Sequence, residues 1–208
     1  MTPSPRPGAV GLTGVVLAGG RSTRFGADKL AAELHGLPLL HHAVLRLAEV
    51  CAEVVVVIAP VAAEPAVPLG ANVRFVRDAR EGEGPLAGLL AGLDAVTSEL
   101  AIVAGGDMPE LSTAVLIELL RVAGEAPVDA VALQDGDRVR PLPSLVRVAA
   151  AREAAHALLH TGERSLRSLL EALRTAVIDE PTWTALDPAR GTLLDIDDPA
   201  DLRAAQDG

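Results

Sequence analysis

Five consecutive β-branched residues, Val54-Val55-Val56-Val57-Ile58, constrain this chain more than any other stretch. The run has no polar alternation, so it reads as a strand that must be covered on both faces. Residues 15–17, 73–76 and 100–104 are further apolar strand patterns. Between them lie helical patterns. Leu40, Val44, Leu47 and Cys51 recur at helical spacing. Residues 86–96 form a second helix, and Ser112 is placed to cap a third that runs through Val122. Strand and helix alternate through the first two-thirds of the chain. That order predicts an α/β domain with a mostly parallel sheet between two helical layers.

The remainder is less regular. Residues 128–133 read as a strand and 134–137 as a turn. Residues 141–146 read as an extended return, with Pro141 and Pro143 confined to a sheet edge. Helices are expected at 148–160 and 164–173, a last strand at 193–196, and a final helix opened by Pro199. Trp183 falls in a short variable stretch. Residues 1–11 contain Pro3, Pro5, Pro7 and Gly8 and are expected to form a flexible N-terminal segment before one domain at 12–208. No internal repeat or linker divides the rest.

Composition narrows the function classes. A chain of 208 residues can bury one sizeable core. Half of it is hydrophobic, but Phe25, Phe75 and Trp183 are the only aromatics, so the core must be aliphatic. A net charge of −10 argues against nucleic-acid binding by bulk electrostatics, while leaving room for a local cationic pocket. Cys51 is the only cysteine, which precludes an intramolecular disulfide and suits a reducing cytoplasm. There is no signal-like apolar core at the N-terminus and no apolar run long enough to cross a bilayer. A cytoplasmic protein, bound neither to membrane nor to nucleic acid, is expected.

Four constellations carry chemistry. After the strand at 15–17 the chain reads Leu17-Ala18-Gly19-Gly20-Arg21-Ser22-Thr23-Arg24-Phe25-Gly26-Ala27-Asp28-Lys29. The glycines let a ligand approach the backbone, and Arg21, Arg24 and Lys29 supply positive charge, so a phosphate-rich ligand is the natural complement. The stretch matches neither the P-loop nor the dinucleotide fingerprint, because Lys29 comes too late for the first and Gly20 is followed by Arg21-Ser22-Thr23. Arg77-Asp78 precedes Gly84-Pro85-Leu86-Ala87-Gly88, a loop that opens a helix and could present free N–H groups to an anion; taken alone it reads more readily as an ordinary Pro-started helix. Gly105-Gly106-Asp107-Met108-Pro109 ends a buried strand, where a carboxylate can hold Mg²⁺ against a triphosphate or simply start a turn. Asp195-Ile196-Asp197-Asp198-Pro199 places Asp195 and Asp197 on one side of an extended chain, with Asp198 a natural N-cap. His156 and His160 share a helix face without a third metal ligand, and the adjacent His41 and His42 point apart.

The first stretch resembles the LAGG-xxx-RMG-xDK signature of the molybdenum cofactor guanylyltransferase family, with Phe25 in place of methionine. The segment Gly84-Pro85-Leu86-Ala87-Gly88 resembles its second motif, and the resemblance extends from about Leu12 to Gln206. Asp135-Gly136-Asp137-Arg138 with Pro141-Leu142, and Gly162-Glu163-Arg164, resemble its later segments, the last facing the acceptor. The resemblance implies a Rossmann-like, nucleotide-diphospho-sugar-transferase type fold. It implies that GTP and molybdenum-molybdopterin yield the guanine dinucleotide cofactor and pyrophosphate, with Mg²⁺ as cofactor and molybdoenzyme-maturation proteins as further partners. By the same resemblance, Arg24, Lys29 and Asp107 are catalytic. Leu17, Ala18, Gly19, Gly20, Lys29, Asp78, Pro85, Leu86 and Asp107 bind the nucleotide, and Asp107 and Asp197 hold the metal.

Two departures stand out. Ala59-Pro60 occupies a position where the family often has asparagine, and Asp195 and Asp197 stand where asparagines are common. A cytidylyltransferase for the same pterin, a sugar-phosphate nucleotidylyltransferase and a non-catalytic nucleotide-binding partner are the alternatives.

Overall fold

The computed structural model describes residues 11–19, 29–78 and 83–207. The elements in chain order are β1 (Leu12–Leu17), β2 (Glu33–Leu34), β3 (Leu37–Pro38), α1 (Leu39–Ala48), β4 (Glu53–Ile58), β5 (Val73–Arg77), α2 (Pro85–Ala95), β6 (Leu100–Gly105), α3 (Thr113–Glu125), β7 (Ala130–Asp135), β8 (Arg138–Arg147), α4 (Val148–His160), α5 (Leu166–Ala172), β9 (Thr175–Ile178), α6 (Glu180–Leu186) and α7 (Pro199–Asp207). Short 3-10 turns sit at Lys29–Ala31 and Gly191–Leu193.

Seven strands form one sheet in the order β5-β4-β1-β6-β8-β7-β9, and β2 and β3 make a separate small hairpin. The pairs β5-β4, β4-β1, β1-β6 and β7-β9 are parallel. Only β8 runs antiparallel, to β6 on one side and β7 on the other. The valine run explains the layering. Successive side chains of a strand point to opposite faces. Val54, Val56 and Ile58 join α1 and α3 residues such as Leu40, Val44, Leu116 and Leu119. Val55 and Val57 join Leu86, Leu89 and Leu93 of α2 and Ala151 and Ala155 of α4. Each such valine or leucine, fully removed from water, contributes about 1.5–3 kcal/mol. The three-layer expectation holds.

Several sequence expectations need correction. The segment with Pro141 and Pro143 is not at an edge; it lies in β8, inside the sheet. The strand tolerates the prolines because its register breaks there. Ala132 pairs with Ser144 and Leu133 with Arg140, so residues 141–143 bulge out of the ladder with β7. Pairing with β6 also begins only at Ser144. No strand forms at 193–196, where a 3-10 turn and an irregular strap stand instead. The stretch around Trp183 is the helix α6, and its indole is fully buried, donating Nε1–H to the Gln134 carbonyl at 2.7 Å. The edge strand β9 and the β2-β3 hairpin had no expectation. Ser112 does precede α3, but its side chain makes no cap hydrogen bond; its amide instead donates to Thr192 Oγ1 at 3.1 Å. The expected flexible segment falls on residues outside the described set, apart from Gly11. Among the described residues no helix is long and apolar enough to cross a membrane.

Candidate active site

From β1 the chain crosses to β4 on one side, and β6 then lies on the other. The carboxyl ends of β1 and β6 therefore flank the point where strand order reverses, the usual place for a ligand crevice in an open α/β sheet. The two ends are tied together, Gly106 N–H donating to the Leu17 carbonyl at 3.0 Å, and β1 is held to β4 by Ala18 N–H donating to the Val57 carbonyl at 2.8 Å. Gly19 follows. Among the described residues, the nearest atom to a Cβ there is the Ala59 amide nitrogen at 3.7 Å, so none of them demands a glycine.

Asp107 is placed by close packing. A Cβ on Gly105 would lie 2.4 Å from Asp107 Oδ1, so the carboxylate can fold back only because that residue is glycine. Leu30, in the first 3-10 turn, packs where a Cβ on Gly106 would lie, at 3.2 Å. That contact seats the neighbouring Lys29, which is only 8% exposed. Its Nζ donates to Asp107 Oδ2 at 2.8 Å and to Asp197 Oδ1 at 3.0 Å. Burial disfavours the ammonium, but the hydrogen bonds and charges of Asp107 and Asp197 outweigh burial and raise the lysine above its ordinary value. Lys29 is therefore a fixed cation at neutral pH.

The C-terminal strap delivers Asp197. Ile196 N–H donates to the Asp107 carbonyl at 3.0 Å, and its side chain is buried with Leu34 and Leu39. Immediately beyond, Asp198 Oδ1 accepts from the amides of Ala200 and Asp201 at 2.6 and 3.1 Å, so the expected N-cap of α7 is present. Asp201 Oδ2 reciprocates, accepting from the amides of Asp197 and Asp198 at 2.8 and 2.9 Å. On the other side of Ile196, Asp195 Oδ2 accepts from Arg140 Nη2 at 2.8 Å. Burial and the nearby Asp107 charge push the Asp195 carboxyl above its ordinary value, against the opposing pull of Arg140.

Lys29, Asp107 and Asp197 thus converge, with Leu17, Ala18 and Gly19 beside them. Asp78 sits at the end of β5. Its amide donates to the Ile58 carbonyl at 2.9 Å, and its Oδ2 lies 3.6 Å from where a Cβ on Gly88 would be, over the first turns of α2. Pro85 and Leu86 open α2, but the Leu86 N–H is donated to the Arg164 carbonyl at 3.2 Å. The helix start is therefore partly capped by the protein itself. Gly20, Arg21 and Arg24 lie outside the described residues. Arg140 went unnoticed in the sequence because its partner is 55 residues away and no local motif marks it.

Asp107 and Asp197 offer hard carboxylate oxygens suited to a cation such as Mg²⁺. Among the described residues no group of three or more acidic, histidine or cysteine side chains could enclose an ion. A magnesium site shared with substrate phosphates needs only one or two carboxylates, so the donor set fits.

A sequence profile of the MobA-like NTP transferase domain matches residues 14–177. A protein of Chloroflexus aggregans named probable molybdenum cofactor guanylyltransferase is 33% identical over 94% of this chain and 93% of its own length. A Mycobacterium tuberculosis protein of the same name is 35% identical over 89% of this chain and 93% of its own. The solved structure of molybdopterin-guanine dinucleotide biosynthesis protein A from Archaeoglobus fulgidus superposes with a TM-score of 0.77 at 23% identity, covering 94% of this chain and 97% of that one. Crevice, glycine-ended strand and aspartate-held lysine are therefore those of a chain that belongs to the MobA-like NTP transferase family.

Proposed function

We propose that this chain is a guanylyltransferase that moves GMP from GTP to the terminal phosphate of molybdenum-bound molybdopterin and releases pyrophosphate, and that residues 12–208 form the single unit that does so. The observation that carries the reading is the Lys29 ammonium held by Asp107 and Asp197 at the strand-end crevice of a MobA-like chain.

The acceptor phosphate, with a second pKa of about 6, is already an anionic nucleophile at neutral pH. Its oxygen forms a bond to the α-phosphorus of GTP, and the bond from that phosphorus to the bridging oxygen of pyrophosphate breaks. No general base is required. The protein must position two anions against their repulsion and neutralise the departing one. Lys29 supplies a cation fixed in place by two carboxylates. The open backbone at Gly19 lets the nucleotide lie against the end of β1. We assign Asp78, Pro85 and Leu86 to holding the nucleoside, and, on the resemblance of the sequence, Gly20 to the nucleotide and Arg24 to catalysis. Nucleotidyltransferases of this family generally use a divalent metal. We assign Mg²⁺, with Asp107 and Asp197 as its protein ligands; when bound it neutralises charge on the phosphates. The product passes to molybdoenzyme-maturation proteins.

The test is pyrophosphate release from GTP, CTP and ATP, each with and without molybdenum-loaded molybdopterin. Release should require the acceptor and be fastest with GTP. Faster release from CTP would assign the chain to cytidylyl transfer.

A further inference from the structure

Asp195 poses an electrostatic problem that the catalytic groups do not solve. Its carboxyl shares the strap with Asp197 and lies close enough to Asp107 for their charges to interact. Lys29 already serves Asp107 and Asp197. A third carboxylate beside them would repel a triphosphate and compete for the same cations.

The structure answers with Arg140. Its Nη2 donates to Asp195 Oδ2 at 2.8 Å, in a pair that is about one-third exposed on each side. Arg140 is the last residue of β8 paired with β7 before the proline bulge, opposite Leu133. Its backbone is therefore anchored in the sheet, while the strap is irregular. A chain of charges supports the guanidinium from behind. Arg140 Nη1 lies 3.9 Å from Asp135 Oδ2. Asp135 Oδ1 accepts from Arg190 Nη2 at 2.8 Å, and Arg190 Nη1 pairs with Glu180 at 2.5 Å. Arg190 is itself stacked on the buried Trp183 ring at 5.0 Å. Arg140 Nε is buried and makes no hydrogen bond. The side chain is thus committed to Asp195 at the expense of one of its own donors.

We propose that Arg140 is a positioning residue for nucleotidyl transfer: by pairing with Asp195 it neutralises the third carboxylate and draws it away, leaving Asp107 and Asp197 to Lys29 and the substrate. The inference rests on the guanylyltransferase reading above. It accounts for how this chain carries an aspartate at position 195. The charge is matched from β8 by a residue outside the crevice-forming strand ends.

The test is a double-substitution cycle of wild type, Arg140→Gln, Asp195→Asn and the Arg140→Gln/Asp195→Asn pair. Calorimetry gives GTP affinity in EDTA and in Mg²⁺, turnover gives kcat and KM, and melting temperature is recorded on each preparation. Arg140→Gln should weaken GTP binding by about tenfold in EDTA, the size expected when one member of a coupled charged pair is removed. KM should rise more than kcat falls. The double variant should return to within about threefold of wild type, because a neutral amide at 195 needs no counter-charge. Unchanged GTP affinity in Arg140→Gln would overturn the proposal. So would an equal loss in the double variant, which would mark Arg140 as a purely structural residue. A wild-type chain that binds no GTP would instead overturn the functional reading and this inference with it.

Discussion

The main-chain carbonyl of Asp107 accepts a hydrogen bond from the amide of Ile196 at 3.0 Å. The same aspartate's side chain holds Lys29. One residue at the end of β6 therefore joins three distant parts of the chain: the sheet, the 3-10 turn that begins at Lys29 and the C-terminal strap. Burial of Ile196 with Leu34 and Leu39 locks the strap from its other side. Asp197 reaches Lys29 because the strap is fixed at both the backbone and the core.

Two glycines should behave oppositely when given side chains. Among the described residues, a Cβ on Gly19 meets nothing closer than 3.7 Å, whereas one on Gly92 would lie 2.8 Å from both Val15 Cγ1 and Val57 Cγ2. Gly19→Val should melt close to wild type and lose most GTP binding. Gly92→Val should be destabilised by about 1–3 kcal/mol through overpacking of α2 on the sheet. Calorimetric melting and GTP titration on both variants check this. Full GTP affinity in Gly19→Val would remove the end of β1 from the nucleotide site.

Cys51 is buried at the foot of α1, and burial pushes its thiol up to about 12. A raised thiol pKa keeps the sulfur protonated, and the thiolate is the reactive form. Below that value the folded protein should therefore resist alkylation by iodoacetamide, and the site should react within minutes once guanidinium unfolds the chain. Mass spectrometry after a timed pulse at pH 8 gives the comparison. Rapid labelling of the native protein would show that α1 opens locally.

The layered fold was legible because its signals are local. An unbroken run such as residues 54–58 declares a strand covered on both faces, and Leu40, Val44 and Leu47 declare the helix that covers one of them. Lys29, Asp107 and Asp197 were readable from the glycine-rich stretch, the end of a buried strand and the acidic C-terminal stretch, although only the fold brings them together across 78 and 168 residues. The prolines of β8 misled because proline argues for an edge, and only the register with β7 reveals a bulge that relieves them. Residues 193–196 have strand-like composition, but Ile196 spends its amide on Asp107 rather than on a ladder. Trp183 carried no periodic signal, since α6 is short and buries that single residue. Arg140 was invisible for a similar reason: its meaning is a pairing across the sheet, which no spacing encodes.

Asp107→Asn offers the most direct test. Asparagine keeps the size of the side chain and an oxygen that can accept from Lys29, but it removes the charge. The fold should be retained, with a melting temperature near that of wild type. Pyrophosphate release from GTP and molybdenum-loaded molybdopterin should fall by roughly a hundredfold or more, the scale of losing one preorganised electrostatic contact in a transition state. The gain in GTP affinity on adding Mg²⁺ should shrink on the same preparation. Normal turnover by a folded Asp107→Asn protein at saturating GTP and Mg²⁺ would contradict the assignment of this crevice as the guanylyl-transfer site.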